Sequence, residues 1–178
     1  MRVFLHLLTI FGYSTTILSH VTFTNLKCGT KDKSFSNFEK CHIKAVNRSH
    51  KYMDIHMNLF KTPVNNVTII AKFMRYDHGY KPFFVDITFD ACRFLKNQRQ
   101  PVVRLFYNIY KNSSNINHTC PYNHDLIVDH FWTGNIEGDL LNYIPIINGD
   151  YAIFTEWFSN NIVRAFINIY IRVSENHK

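Results

Sequence analysis

A chain of 178 residues is long enough for one domain with a substantial hydrophobic core and short for two. Its 20 Lys and Arg against 13 Asp and Glu give a formal net charge of +7. The basic residues are scattered, however, so the charge describes a positively biased solvated surface and supplies no nucleic-acid-binding motif. No stretch beyond the N-terminus is apolar for the roughly 18–20 residues that a membrane-spanning helix needs, so a spanning helix is not expected.

The N-terminus opens Met1-Arg2 and runs apolar from Val3 to Tyr13 before small residues follow. A single early cation, a short apolar run and a small residue at the exit are the parts of a secretory signal peptide. It is assigned to residues 1–19, with Ile17 and Ser19 at minus three and minus one of a cleavage near Ser19. Residues 20–178 are then expected to form one secreted, extracellular domain.

Beyond the leader the chain alternates. Val21–Lys27 and Phe38–Val46 are weaker strand candidates, whereas Lys51–Leu59 puts Met53, Ile55, Met57 and Leu59 on one side of a strand. Val67-Ile69-Ala71-Phe73 and Phe83-Val85-Ile87-Phe89 repeat the period of two. Leu126–Trp132 and Tyr151–Phe158 follow, and Val163 to Val173 gives the longest alternation. Turn signals at Thr62-Pro63, His78-Gly79-Tyr80 and Asn148-Gly149-Asp150 separate these runs. One segment changes period: after Pro101, the residues Val102, Leu105, Phe106 and Ile109 fall at helical spacing, predicting a single short helix over about residues 101–112. The fold class expected is all-β, a two-sheet sandwich of about seven or eight strands with one inserted helix.

Cys28, Cys41, Cys92 and Cys120 make an even set that allows three connectivities; neighbour pairing, Cys28–Cys41 and Cys92–Cys120, is preferred. Each such bridge would contribute about 3 kcal/mol by the chain-entropy model. Asn47, Asn66, Asn112 and Asn117 each head an Asn-x-Ser/Thr sequon, which behind a signal peptide predicts glycosylation at one or more of them. The 16 Phe, 10 Tyr and 2 Trp fit either an aromatic-rich core or a cavity lined by rings.

Several blocks carry a resemblance. They are Lys33-Ser34-Phe35 with Phe38-Glu39-Lys40-Cys41, Leu59-Phe60-Lys61-Thr62-Pro63, Gly79-Tyr80-Lys81-Pro82-Phe83, Asp86 through Asp90-Ala91-Cys92-Arg93-Phe94-Leu95, and His118-Thr119-Cys120-Pro121-Tyr122-Asn123-His124-Asp125. Together they resemble a large family of secreted insect proteins, long labelled only as a domain of unknown function, with some relatives linked to contact chemosensation and pheromone response. That family is in turn similar to the ML lipid-recognition domains. The resemblance implies an immunoglobulin-like β-sandwich whose sheets part to accept a hydrophobic ligand. One departure stands out: no cysteine follows Cys120, so a bridge to the final strand of the kind found in ML proteins cannot form.

Catalytic chemistry has little to rest on. Nucleophile elbow, zinc-protease and phosphate-loop motifs are missing from the sequence, so an enzyme is not expected and no cofactor is assigned. His118, Cys120 and His124 cluster in sequence, but a cysteine committed to a disulfide cannot be a thiolate ligand, and no metal is assigned. Asp86 and Asp90 read as surface or turn residues. Lys72, Lys81, Arg104 and Arg172 are candidates for a basic rim, with simple solvation as the alternative.

The cavity candidates are Phe73, Phe83, Val85, Ile87, Phe89, Ile153, Trp157 and Ile167 on strands, with Leu105, Phe106 and Ile109 capping from the helix. The expected function is a secreted, non-enzymatic binding protein for a small hydrophobic ligand, with a membrane receptor as a further candidate partner. The alternative is an interaction module with a solid core that docks on a receptor or matrix component.

Overall fold

The structure, a computed structural model, describes residues 19–47, 50–139 and 146–175. Most of the assigned signal segment, residues 1–18, lies outside the described residues. Nine strands run through the rest: β1 (Ser19–Thr30), β2 (Ser36–Ala45), β3 (Lys51–Leu59), β4 (Thr68–Tyr76), β5 (Tyr80–Pro82), β6 (Ile87–Asp90), β7 (Leu126–Trp132), β8 (Gly149–Ser159) and β9 (Ile162–Glu175). They form two antiparallel sheets, a six-stranded one ordered β1-β9-β8-β4 and a three-stranded one ordered β2-β3-β7. On the far edge of β4, β5 pairs with Met74–Tyr76 and β6 with Thr68–Ala71. The all-β, two-sheet sandwich is therefore as expected from the alternation.

Strand periodicity places the core. On β1, Val21 and Phe23 are buried; on β3, Met53, Ile55 and Met57; on β9, Ala165, Ile171 and Val173. These faces meet between the sheets, with Phe131, Ile109 and Ile136 joining them. The outer face of the larger sheet also carries rings. Tyr80 makes edge contacts with Tyr76, Phe154 and Tyr170, and Lys27 lies over Tyr170, so part of the aromatic surplus is spent there.

Among the described residues, three α-helices interrupt the strands where one was expected. Asp90 caps the first, α1 (Ala91–Asn97), its carboxylate accepting a hydrogen bond from Arg93 N at 2.9 Å. Pro101 starts α2 (Pro101–Tyr110), followed by a 3-10 turn over Lys111–Ser113, close to the expected span. The third, α3 (Thr133–Asp139), continues directly from β7; its Glu137 accepts from Val21 N at 2.7 Å. Both α1 and α3 are only seven residues long, too short for a helical period to emerge from the surrounding strand pattern.

The segment Phe83–Phe89 is not one strand. Phe83 N still donates to Phe73 O at 2.7 Å, but Phe84 adopts a left-handed backbone (φ 73°) and the chain bulges outward before β6 begins. Phe84, Val85 and Asp86 loop out together, so Val85 faces solvent, 42% exposed, instead of the core, while Ile87 and Phe89 resume the inward side.

Both disulfides follow neighbour pairing, Cys28–Cys41 and Cys92–Cys120. The first joins β1 to β2, the facing edge strands of the two sheets. The second closes a loop that contains all of α2. A Cys28→Ser/Cys41→Ser variant should lose about 3 kcal/mol of unfolding free energy in urea titration. Non-reducing peptide maps of the native protein should give these two pairs and no others.

Candidate functional site

Between the sheets lies a cavity of about 210 Å³. Its floor is the larger sheet, with Ala71 and Phe73 of β4, Ile153 and Trp157 of β8, and Ile167, Ile169 and Ile171 of β9. Its roof is the smaller sheet, with Met53, Ile55 and Met57 of β3 and Val128 and Phe131 of β7. The smaller sheet is half as wide, and α2 covers the rest, its stripe Val103, Phe106, Tyr107 and Tyr110 turned inward. Phe106 packs on Phe73 with ring centroids 4.6 Å apart.

Among the described residues, no charged side chain lines this space. Thr155 is its one aliphatic hydroxyl, and it is already engaged: Oγ1 donates to Ile167 O at 2.7 Å and accepts from Trp157 Nε1 at 2.9 Å. The remaining polar groups are the phenols of Tyr107 and Tyr110. Tyr110 sits where the main cavity meets a smaller space of about 60 Å³ that runs toward Phe35, Val64 and Tyr122. No hydrogen bond from a described residue holds its hydroxyl. Burial, reinforced by the nearby Tyr107 and Tyr122 hydroxyls, pushes its pKa well above the ordinary phenol value.

Of the eleven candidates read from the sequence, eight line the cavity: Phe73, Ile87, Phe89, Phe106, Ile109, Ile153, Trp157 and Ile167. Three do not. Val85 is turned out by the Phe84 bulge. Phe83 packs against the core beside Tyr151, ring centroids 5.3 Å apart, without reaching the space. Leu105 also packs on the core, because the inward stripe of α2 is rotated by about one residue from the expected Val102-Leu105-Phe106-Ile109 face. The rotation follows from the rings of Tyr107, which is buried, and Tyr110, which is partly buried, both turned to the inner side. Sequence reasoning also missed Phe23 and the apolar side of β3. The alternation marked that side as buried, but alternation alone cannot separate core from cavity.

The basic rim does not assemble at this cavity. Lys81 binds Asp77 at 2.9 Å, and Arg172 makes two hydrogen bonds to Asp150, at 2.7 and 3.0 Å. Lys72 and Arg104 are exposed. Asp86 is exposed and Asp90 is the helix cap described above. The four sequon asparagines, Asn47, Asn66, Asn112 and Asn117, all lie exposed. Asp54, Asp129 and His130 bring three possible ligand atoms within 4.8 Å of one another. The Asp54 oxygens are already engaged, one by His130 N at 2.8 Å and the other by the His42 ring at 3.1 Å.

A two-sheet sandwich with an apolar cavity between its sheets, covered on one flank by α2, is the class of protein defined here. The chain belongs to the family described as "Protein of unknown function (DUF1091)", whose model matches residues 65–153, half of its length. No curated protein matches it in sequence. Among solved structures it is similar to a Niemann-Pick type C2 protein from Japanese carpenter ant, at 15% identity over 88% of this chain and 92% of that one. The TM-score of 0.27 is too low for that likeness to define a shared fold. Among the described residues, no helix is long and apolar enough to cross a membrane.

The buried phenols give a pH signature. Tyr122 donates to His118 O at 2.6 Å, and burial pushes its pKa up to about 12. A phenol whose pKa is raised by folding stabilises the native state fully below the unfolded value near 10. That contribution is lost as pH climbs from there through the folded value. Spectrophotometric titration at 295 nm should therefore show Tyr110 and Tyr122 ionising last, with thermal stability falling over pH 10 to 12. Tyr122→Phe should shrink that alkaline loss.

Proposed function

We propose that this protein is a secreted, non-enzymatic carrier that holds a small apolar molecule, lipid or hydrocarbon-like, between its two sheets. The cavity is the observation that carries this reading. At about 24 cal/mol per Å³ of void, an empty 210 Å³ space forgoes roughly 5 kcal/mol relative to a filled core. A chain selected only to present its surface to a partner gains nothing from that loss, and larger side chains at Ala71 or Thr155 would remove it. An apolar cavity of about 150 Å³ already stays dry and accepts a benzene-sized guest. Each guest methylene withdrawn from water contributes roughly 0.8 kcal/mol, so affinity needs no charge pairing.

The two disulfides and the exposed sequons support an oxidising, extracellular setting, and the single domain is taken to be residues 20–178. The motif resemblance extends the reading to contact chemosensation and pheromone response, in which a carrier would deliver its guest to a membrane receptor.

Protein secreted from insect cells should begin at His20 by N-terminal sequencing and lose mass on treatment with an N-glycosidase. Material beginning at Met1 would remove the secretory part of the proposal. After delipidation it should bind one equivalent of the apolar dye N-phenyl-1-naphthylamine with micromolar affinity, displaced by long-chain alcohols or alkanes. Ala71→Leu, which grows into the cavity, should weaken the dye at least ten-fold while leaving the melting temperature unchanged or higher. Equal dye binding by Ala71→Leu and the native protein would place the guest elsewhere and end the carrier reading.

A further inference from the structure

Thr155 spends its hydrogen on Ile167 O at 2.7 Å, which leaves the phenols of Tyr107 and Tyr110 as the cavity's hydroxyls without a hydrogen-bond partner among the described residues. Of the two, Tyr110 alone borders both the 210 Å³ space and the 60 Å³ space beyond it. The hydroxyls of Ser36, Ser114 and Thr133 also lack partners, but they are sealed among protein atoms. That of Tyr110 is not sealed, so it opens on free space. Burial deep enough to raise its pKa keeps bulk water from the oxygen, and the space it meets is therefore the cavity.

The phenol is held in place. Tyr110 stands where α2 passes into the 3-10 turn, and Tyr107 meets its ring edge-on at a centroid distance of 5.7 Å. Neighbouring polar groups are already engaged. Tyr122 donates to His118 O at 2.6 Å. Arg164, the charged side chain that borders the smaller space, pairs with Asp32 and lies over the Phe35 ring at 4.5 Å. Ser159 lines the smaller space and does not reach the main cavity.

We propose that Tyr110 selects an oxygen-bearing guest: a neutral alcohol, aldehyde, ketone or ester whose oxygen takes the phenol hydrogen while its hydrocarbon part fills the main cavity. The inference rests on the carrier reading and narrows it. An alkane would leave the hydroxyl unpaired in a dry space, where a missing hydrogen bond costs more than in water. An ionised fatty acid would carry a charge into a cavity whose one bordering cation is already paired with Asp32. Size sets a second limit. A cavity of about 150 Å³ takes benzene, and on that scale the two spaces together suit roughly eight to eleven non-hydrogen atoms.

The test uses the full secreted glycoprotein, delipidated and loaded with N-phenyl-1-naphthylamine. Dye is displaced with 1-decanol, 2-decanone and undecane, which are equal in non-hydrogen atoms. The quantity read is the affinity ratio of each oxygenated guest to undecane, compared between native protein and variant so that differences in water solubility cancel. Tyr110→Phe should lower both ratios at least five-fold, and Tyr107→Phe should lower them less. The carbonyl stretch of bound 2-decanone should lie at lower wavenumber in native protein than in Tyr110→Phe. The empty Tyr110→Phe protein should melt at or above the native temperature, since it loses a hydroxyl that had no partner; a phenol needed for folding would melt lower. Ratios unchanged in Tyr110→Phe, with dye still bound and displaced, would overturn this inference and leave the carrier standing. A larger fall in Tyr107→Phe would overturn the assignment to Tyr110. Native protein that binds neither the dye nor any of the three guests would instead end the carrier reading, and this inference with it.

Discussion

The mismatch between a six-stranded sheet and a three-stranded one governs this structure, because the apolar face of the wider sheet extends beyond anything the narrower sheet can cover. Strands β1 and β9 face β2 and β3, but β4, β5 and β6 would stand open to water without another layer. Helix α2 supplies that layer by turning Val103, Phe106, Tyr107 and Tyr110 toward β4. A helix and a sheet interlock less completely than two sheets of matched pleat, since a cylinder about 10 Å across meets a twisted surface along one stripe. The cavity lies in that imperfect junction, bounded by residues from both sheets and from α2. Its existence follows from sheet width and helix placement together, and no single side chain creates it.

Alternation along the chain made the sheets legible in advance. The even spacing in β3 and β9 identified both the strands and the sides that are buried, because a period of two leaves only one face for the core. The elements that escaped are those with local causes. Helices α1 and α3 are two turns long and are set by a cap at Asp90 and by continuation from β7. At Phe84 the chain leaves the sheet and residues 84–86 all stand exposed before β6 rejoins β4, so Val85, apolar and correctly spaced, ends outside. On α2 the inward stripe was misjudged by one residue. Tyrosine is amphipathic, and its place on a helix is decided by what the ring packs against, here Phe94 for Tyr107 and the cavity for Tyr110.

The candidate site was legible only as a list of inward-facing residues. Phe73, Phe89 and Trp157 would be equally inward in a solid core, and the difference lies in distances between layers that no one strand encodes. The two histidines show the opposite case. Their sequence spacing, with a cysteine between them, offers three ligand types, and the Cys92–Cys120 disulfide removes the sulfur from that set. What remained hidden was that the turn around Pro121 folds His118 back onto His124 and pins both rings through backbone carbonyls.

A sandwich that keeps a void needs reinforcement where its layers would otherwise separate, and the disulfides are placed accordingly. Cys28–Cys41 ties the facing edges β1 and β2 on the side where the sheets meet directly. Cys92–Cys120 brackets the opposite side: its loop begins at α1, contains all of α2 and ends just before β7, so the segment that covers the open flank is fixed at both ends. By the chain-entropy model each bridge contributes about 3–4 kcal/mol, and the pair is of the same order as the packing forgone at the cavity. Because the constraint on α2 acts at its ends and not along its length, the helix can shift against β4 without breaking a covalent tie. Under the carrier reading proposed above, Phe106 on Phe73, ring centroids 4.6 Å apart, is the contact that a guest entering along the α2–β4 seam would displace.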